Sequence, residues 1–484
     1  MDVVIDEIDA NLRKLPNYCF LLTIKKLTKT VMRTIFKTLP VVALGAALAL
    51  AACEPEKKAA TYELPAIEDI VMYQVNPRVF AADSSSPSSL QVVARRVDSI
   101  ADLGVNVMWV MPIYPIGKEK SKNSPYSIVD YTAVNPSFGT IDDFKALVDS
   151  CHAHGMSIIL DWVANHTAWD SKWLKEQGHK DWYTQDSLGN VIYTPGTDWT
   201  DVADLNYDNA DMRAAMREAM LFWVKEVGID GFRCDVADWV PTDFWKGAID
   251  SLRAAAAPRK IVMLAEGNDK KNFVEAGFDM NYAWDFMHKF REDVWAKGGS
   301  AKLVFECDST EYAALPQGKV KMRFTTNHDE STHATPFGMF GGDRGAMAAW
   351  VATVFLHGGP LVYGSQEVGY EQPINFFHYV AVDWTAKPEI RNEYKQLIAM
   401  LKANPALLKG TYRALPDNDI LAFVKSGAGQ AESFLVLVNL RNAEHEIALP
   451  EFAGKKVTDM MTGSEDDLDQ KVDLQPYEYK ILKL

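Results

Sequence analysis

A chain of 484 residues, 48% hydrophobic and 24% charged, is long enough to fold around more than one core. Its formal charge of −15, with no Lys/Arg cluster in the globular part, argues against a nucleic-acid partner, because phosphate contacts need a basic face. The five cysteines, Cys19, Cys53, Cys151, Cys234 and Cys307, have spacings that fit neither a zinc site nor a disulfide framework.

The first segment reads as an address. From Met32 the chain runs Met-Arg-Thr-Ile-Phe-Lys, continues through an apolar stretch over 38–48, and reaches Leu50-Ala51-Ala52-Cys53. A basic start, an apolar middle and small residues before a cut make a secretory signal. Its ending resembles a bacterial lipoprotein signal, in which the cysteine is lipidated and becomes the new N-terminus. The apolar part falls short of the ~20 residues of a membrane span. Residues 1–52 are therefore expected to be an N-terminal extension and signal peptide, with translation starting at Met32. The polar stretch 53–64 is expected to be a tether. Glu54, not Asp, follows the cysteine, which gives no inner-membrane retention signal. The expectation is an exported protein, anchored through Cys53 to the outer membrane.

Strand-like runs and amphipathic stretches then alternate, the pattern of βα units around a parallel sheet. Strands are predicted over 70–75, 106–112, 157–163, 231–236, 261–266, 279–284, 321–326 and 360–364. Helices are predicted over 90–103, 141–154, 211–227 and 389–403. This predicts an α/β fold, a (β/α)8 TIM barrel over 65–405. A short inserted domain is expected after the third strand, over 167–205. That stretch is rich in Trp, Asp, Gly and Pro and lacks helical periodicity apart from a short piece near Trp173. From about residue 406 to 484 the pattern becomes short alternating runs, over 421–425, 433–439, 445–449, 456–460 and 477–484. They predict a C-terminal antiparallel β-sandwich.

Four stretches carry the chemistry: Asp161-Trp162-Val163-Ala164-Asn165-His166, Gly231-Phe232-Arg233-Cys234-Asp235, Leu264-Ala265-Glu266, and Phe324-Thr325-Thr326-Asn327-His328-Asp329. Each ends an apolar run with a polar cluster, as a buried parallel strand does when it delivers functional groups to a barrel mouth. Arg233 lies two residues before Asp235 and so on the same face of its strand, where it can orient and hold the carboxylate. Cys234 points to the opposite face and reads as packing. Asp161 reads as a structural residue that ties down neighbouring loops.

In order and spacing these stretches resemble the α-amylase family of glycoside hydrolases, glycoside hydrolase family 13, over about residues 65–484. A fifth motif appears as Ala203-Asp204-Leu205-Asn206, and Gln366-Glu367-Val368-Gly369 is a weaker match. The resemblance implies Asp235 as nucleophile, Glu266 as general acid/base and Asp329 as the third carboxylate, which grips sugar hydroxyls. It also implies His166 and His328 as donors to the same sugar, and Tyr126 as a ring stacked beneath it. Retention needs two carboxyls ~5–5.5 Å apart, and neighbouring strands lie ~4.8 Å apart, so strand-end carboxyls such as Asp235 and Glu266 can meet that demand. The expected activity is retaining cleavage of α-1,4-glucosidic bonds in starch, maltodextrins or maltooligosaccharides.

Departures from the family pattern leave alternatives open. Many relatives hold a structural calcium with the asparagine of the first motif and the aspartate of the fifth, here Asn165 and Asp204. The histidine that usually lends its backbone oxygen is replaced by Trp239, and the preceding lysine by Asp238. A calcium at Asn165 and Asp204 stays open, and the chemistry itself needs no cofactor. Val236, directly after the nucleophile, accompanies relatives that accept α-1,6 links. A 4-α-glucanotransferase, a cyclomaltodextrinase- or neopullulanase-like enzyme and, more distantly, a non-catalytic starch-binding protein remain alternatives. Oligomeric state is not readable.

Overall fold

The computed structural model describes residues 62–81, 88–313, 315–430 and 432–484. The predicted signal, the lipidation at Cys53 and most of the tether lie outside the described residues. The first strands in chain order are β1 (Met72–Val75), β2 (Val107–Val110), β3 (Ser157–Trp162), β4 (His166–Ala168), β5 (Val202–Asp204), β6 (Gly231–Cys234), β7 (Val262–Ala265), β8 (Met280–Tyr282), β9 (Val320–Arg323) and β10 (Gly359–Tyr363). All but β4 and β5 close into a parallel barrel in the order β1-β10-β9-β8-β7-β6-β3-β2. The expected eight-stranded barrel is present.

Every residue of these eight strands is buried, as parallel strands covered on both faces must be. Alternation sorts the side chains. Met72, Trp109, Ile159, Leu264, Met280, Met322 and Leu361 form one cluster inside the barrel. Tyr73, Met108, Ile158, Phe232, Cys234, Met263 and Val362 belong to the larger core shared with the helices. Arg233, between Phe232 and Cys234, therefore points inward. Helices α1 (Ser89–Asp102), α2 (Ile141–Ala153) and α3 (Ala210–Phe222) show why the outer layer forms. α1 buries Leu90, Val93, Val97 and Ile100, one stripe at helical spacing. α2 opens with a capping box, in which the Thr140 side chain accepts from Asp143 N–H and the Asp143 carboxyl accepts from Thr140 N–H.

The inserted segment is mostly loop, with a turn over Lys172–Glu176 at the predicted place and a shorter one over Lys180–Trp182. It also contains an unpredicted antiparallel ribbon, β4 with β5, that sets His166 opposite Asp204. Three-residue strands are too short to show a period.

Beyond the barrel, β11 (Thr411–Leu415), β12 (Ile420–Ser426), β13 (Ser433–Asn439), β14 (His445–Ala448), β15 (Lys456–Asp459), β16 (Glu465–Asp467), β17 (Lys471–Leu474) and β18 (Tyr479–Lys483) complete the chain. They form a six-stranded antiparallel sheet, β11-β12-β13-β18-β15-β16, and a pair, β14-β17. Ile420, Ala422, Leu435 and Leu437 face a small core shared with Ile447 and Leu474 of the pair. Leu421, Phe423, Phe434, Val436 and Val438 face the other way into the barrel's main core. The central strands are thus apolar on both faces, and one contiguous core joins the sheet to the barrel. β11, β16 and β17 were not predicted: β16 is Glu-Asp-Asp and wholly exposed, and the other two are short and largely exposed or half-buried.

Candidate active site

β6 and β7 pair in register with Cys234 opposite Ala265. The next residue of each strand is a carboxylic acid, and the ladder continues past them. Asp235 N–H donates to Trp162 C=O at 2.8 Å, Glu266 N–H to Cys234 C=O at 2.9 Å, and Ala237 N–H to Glu266 C=O at 2.9 Å. Asp235 and Glu266 therefore stand side by side at the carboxyl-terminal mouth of the barrel. At Val236 the backbone turns through φ +36°, ψ 48°, a left-handed conformation that disfavours a β-branched residue by about 1 kcal/mol or more. Its N–H donates to Glu266 Oε2 at 2.7 Å. Strain at the turn is offset by a hydrogen bond to the acid itself. At the other end of β6, Gly231 has φ +137°, and a Cβ there would lie 1.8 Å from Val262 O. Only glycine lets β6 approach β7 this closely.

Arg233 is the hub of the site. It has no exposed surface, and its Nη1 donates to Asp161 Oδ1 at 2.8 Å and to Asp235 Oδ1 at 2.9 Å. Its Nε donates to the Tyr282 hydroxyl at 3.0 Å. Nη2 lies 2.8 Å from Glu266 Oε2, but no N–H points along that line, so this contact is Coulombic and not a hydrogen bond. The guanidinium carbon sits 5.0 Å from the ring centre of Trp109, a cation–π contact in a dry place. One cation bridges both carboxyls of the pair. Burial, and next the charge of Glu266, push the Asp235 carboxyl well above its ordinary range, against the pull of Arg233. Burial also raises Asp161, to about 6. Asp235 and Asp161 thus hold their protons above the usual carboxylate range, burial outweighing the pull of Arg233.

Asp161 has the structural part read from the sequence and a wider one. It ties down Tyr126 of the loop after β2, as read, and also side chains of the barrel: Trp109 Nε1 and the Tyr126 hydroxyl both donate to its Oδ2 at 3.1 Å, opposite Arg233 on Oδ1. Tyr126 in turn lies 2.6 Å from His328 Nε2, and Gln74 Nε2 lies 2.8 Å from His328 Nδ1. With the Gln74 amide donating, the proton of His328 sits on Nε2, and the chain Gln74, His328, Tyr126, Asp161 has a donor for each acceptor. Tyr126 stacks on His328 with ring centres 5.4 Å apart at 21°. Asp329 Oδ1 is 3.3 Å from His328 Nε2. Asn327 Oδ1 accepts from Asp329 N–H and Glu330 N–H, both at 2.9 Å, which fixes the turn that carries Asp329. Burial lowers His166 to about 4, and burial and Arg233 hold His328 well below the usual histidine range. Both imidazoles are neutral at pH 7. Burial and then Glu266 push Asp329 up to about 8; its side chain is 41% exposed, so solvent screens part of that effect.

Tyr126, His166, Asp235, Glu266, His328 and Asp329 all line one cleft of about 500 Å³. Arg233 lies beneath it. Residues that the sequence reading did not single out complete the site. Trp199 and Phe376 line the cleft, Trp109 and Tyr282 hold Arg233, and Gln74 fixes His328. Trp109 was accessible, being two places from Val107 on an alternating strand. Gln74 was not, since its partner is 254 residues away.

Asn165 and Asp204 also meet, but as a hydrogen-bonded set. Asp204 Oδ2 accepts from the Thr184 hydroxyl at 2.7 Å, and the Asn165 amide donates to Thr194 Oγ1 at 3.0 Å. Calcium takes 6–8 oxygens. This set offers one carboxylate, with Oδ2 already accepting from Thr184, and among the described residues no three His, Cys, Asp or Glu side chains stand close enough to hold a metal. The residues do not fit the ion. Asp238, at the family's lysine position, accepts from Asn268 N–H at 3.1 Å and from Asn272 Nδ2 at 2.8 Å. It clamps the loop that follows Glu266, and a Cβ on Gly267 would lie 2.3 Å from its carboxylate.

The chain is similar to known proteins. Residues 74–405 match the family described as Alpha amylase, catalytic domain, and residues 412–481 match Maltogenic Amylase, C-terminal domain. Alpha-amylase MalA of Haloarcula japonica is 25% identical over 418 residues, which cover 83% of this chain and 60% of that relative's length. The probable oligo-1,6-glucosidase 2 of Bacillus subtilis is 22% identical, with 86% and 98% covered. The crystal structure of an α-amylase from Lactobacillus plantarum has a TM-score of 0.74 at 27% identity, covering 86% of this chain and 99% of that one. The noncanonic maltogenic α-amylase AmyB from Thermotoga neapolitana shares the fold, with a TM-score of 0.76 at 24% identity and 87% and 99% covered. With its barrel, its C-terminal sheet and the matched catalytic region, this chain belongs to the α-amylase family of glycoside hydrolases.

Proposed function

We propose that this protein is a retaining glycoside hydrolase that cleaves α-1,4-glucosidic bonds of starch, maltodextrins or maltooligosaccharides. The supporting observation is the bridge of Arg233 between Asp235 and Glu266 at the floor of the cleft. Asp235 attacks the anomeric carbon, and the bond from that carbon to the leaving oxygen breaks as Glu266 gives that oxygen its proton. Water then attacks the same carbon, passes its proton to Glu266 and releases Asp235. The reaction starts from one proton on the pair. As positive charge develops on the sugar beside Asp235, the ionised form is favoured there and the proton on Glu266. Neutral His166 donates to a hydroxyl of the bound sugar, Asp329 accepts from its hydroxyls, and Tyr126, oriented by the Nε2–H of His328, packs against its ring.

Asp235→Asn keeps the size of the side chain and the Arg233 contact while removing the nucleophile. Starch hydrolysis should fall by about 10³-fold or more while the variant still unfolds cooperatively. Wild-type turnover by the pure variant would overturn the assignment.

A second reading keeps the site and widens the linkage to α-1,6, as in cyclomaltodextrinases or neopullulanases. The match to a maltogenic C-terminal domain and Val236 after the nucleophile favour it. Export and anchoring through Cys53 are part of the proposal and rest on the signal sequence. Cys53→Ser should release the enzyme from the membrane fraction of the expressing cell.

A further inference from the structure

Residues 62–70, ahead of β1, contribute nothing to the cleft. They run across the amino-terminal ends of the barrel strands, the face opposite the mouth. Tyr62 sits against β3: its hydroxyl donates to Oγ of Ser157, the first residue of that strand. Its ring stacks on His152, with centres 4.1 Å apart at 13°. His152 Nε2 in turn lies 2.7 Å from Oδ2 of Asp230, a fully buried side chain that also accepts from Ile158 N–H at 2.9 Å. Asp230 comes directly before β6, and Asp235 directly after it. Five residues at ~3.3 Å each put the two ~16 Å apart along the strand.

The rest of the segment closes this end of the barrel. Leu64 and Ile67 pack against the cluster inside it, and Ile67–Asp69 forms one tight turn. Asn106 ties that turn to β1, its Nδ2 donating to Asp69 C=O at 2.7 Å and its Oδ1 accepting from Val71 N–H at 2.8 Å. Lys409 Nζ donates to Asp69 Oδ1 at 2.6 Å. Apolar side chains in the floor, a stacked ring and these polar ties hold the segment to the barrel. The chain therefore leaves toward Cys53 from a fixed point on the amino-terminal face.

Eight residues, 54–61, separate Cys53 from Tyr62. However they are arranged, that length of chain reaches about 30 Å at most. A compact body the size of residues 62–484 has a radius of gyration of about 22 Å, hence a diameter of about 55 Å. A lipid on Cys53 is thus within reach of the amino-terminal face and out of reach of the mouth. We propose that the amino-terminal end of the barrel, with Tyr62 docked on it, is the face this protein turns to the bilayer, and that the cleft opens away from the lipid. A polymeric glucan then reaches Asp235 and Glu266 from solution without passing between enzyme and membrane. This inference rests on the anchoring through Cys53 and adds the orientation of the enzyme to it.

Lys260 and Lys270 give a direct test. Both are exposed and they flank the same strand, Lys260 just before β7 and Lys270 past Glu266 on the mouth side. Lys260→Cys and Lys270→Cys are made separately in a Cys307→Ser background, since the other described cysteines, Cys151 and Cys234, are buried. The full chain is expressed with its signal, labelled with one fluorophore and placed in vesicles of phosphatidylethanolamine and phosphatidylglycerol that carry a rhodamine lipid. Energy transfer to the rhodamine should be several-fold stronger from position 260 than from position 270, which lie ~20 Å apart along the strand. Equal transfer from membrane-bound protein would mean a body lying on its side, and stronger transfer from 270 a cleft facing the lipid. Either result overturns the orientation and leaves the anchoring intact. Wild-type protein recovered wholly in the soluble fraction would overturn the anchoring, and the orientation with it.

Discussion

Arg233 illustrates what a single residue does in this cleft. A buried guanidinium is held in place only by partners that stay charged or polar, and it has Asp161, Asp235, Glu266 and Tyr282 at 2.8–3.0 Å. The carboxyls are correspondingly crowded, which makes the site destabilising above the pH at which they ionise. Asp329 tests this. Its folded carboxyl is raised to about 8, above an unfolded value of about 4. Its favourable share of stability is therefore complete below about pH 4 and is lost as pH rises through about 8. Asp329→Asn removes the titrating group, so its Tm should exceed the wild type's at pH 8 and approach it near pH 4. A constant Tm difference across that range would contradict the reading. The residues that carry charge were legible because each follows an apolar run at a strand end. Their partners were not. That Asp161 binds Arg233 and Tyr126 depends on which strands become neighbours, which no local pattern records.

At the level of elements, the pairing of β6 with β7 decides whether the catalytic carboxyls meet at all. That pairing depends on Gly231, where a methyl group would collide with Val262 O and φ is positive. Gly231→Ala should destabilise the protein by about 3 kcal/mol or more, and reduce activity even where the protein remains folded, because the register that aligns Asp235 with Glu266 is strained. A Tm within a degree of wild type would contradict this. The barrel strands could be found from sequence because each is a continuous apolar run bounded by turns. The β4–β5 ribbon and β16 could not, since three-residue strands with exposed or mixed side chains differ from loops only through their partners. The sixth barrel strand is predicted over 279–284 and observed as Met280–Tyr282, because Trp284 already begins a helix.

For the whole molecule, barrel and C-terminal sheet share a single core. Phe423, Phe434 and Val436 point into it from the sheet. Lys425 of the same strand is fully buried, and its Nζ donates to Phe355 C=O at 3.0 Å across that junction. Stability is therefore carried by burial on both sides of the sheet, with no ion cage at Asn165 and Asp204. Exhaustive chelation should leave Tm and starch hydrolysis unchanged, measured by calorimetry and reducing-sugar release with and without EDTA. A fall in Tm restored by calcium alone would show that the Asn165–Asp204 set rearranges to bind the ion.

The measurement that bears most directly on the Asp235–Glu266 pair is proton NMR of maltoheptaose during the first turnovers by the purified enzyme. Retaining hydrolysis through a covalent glycosyl-enzyme predicts shorter maltooligosaccharides whose new reducing ends appear first as the α-anomer. New ends that appear first as the β-anomer, or an unchanged heptaose spectrum, would contradict it.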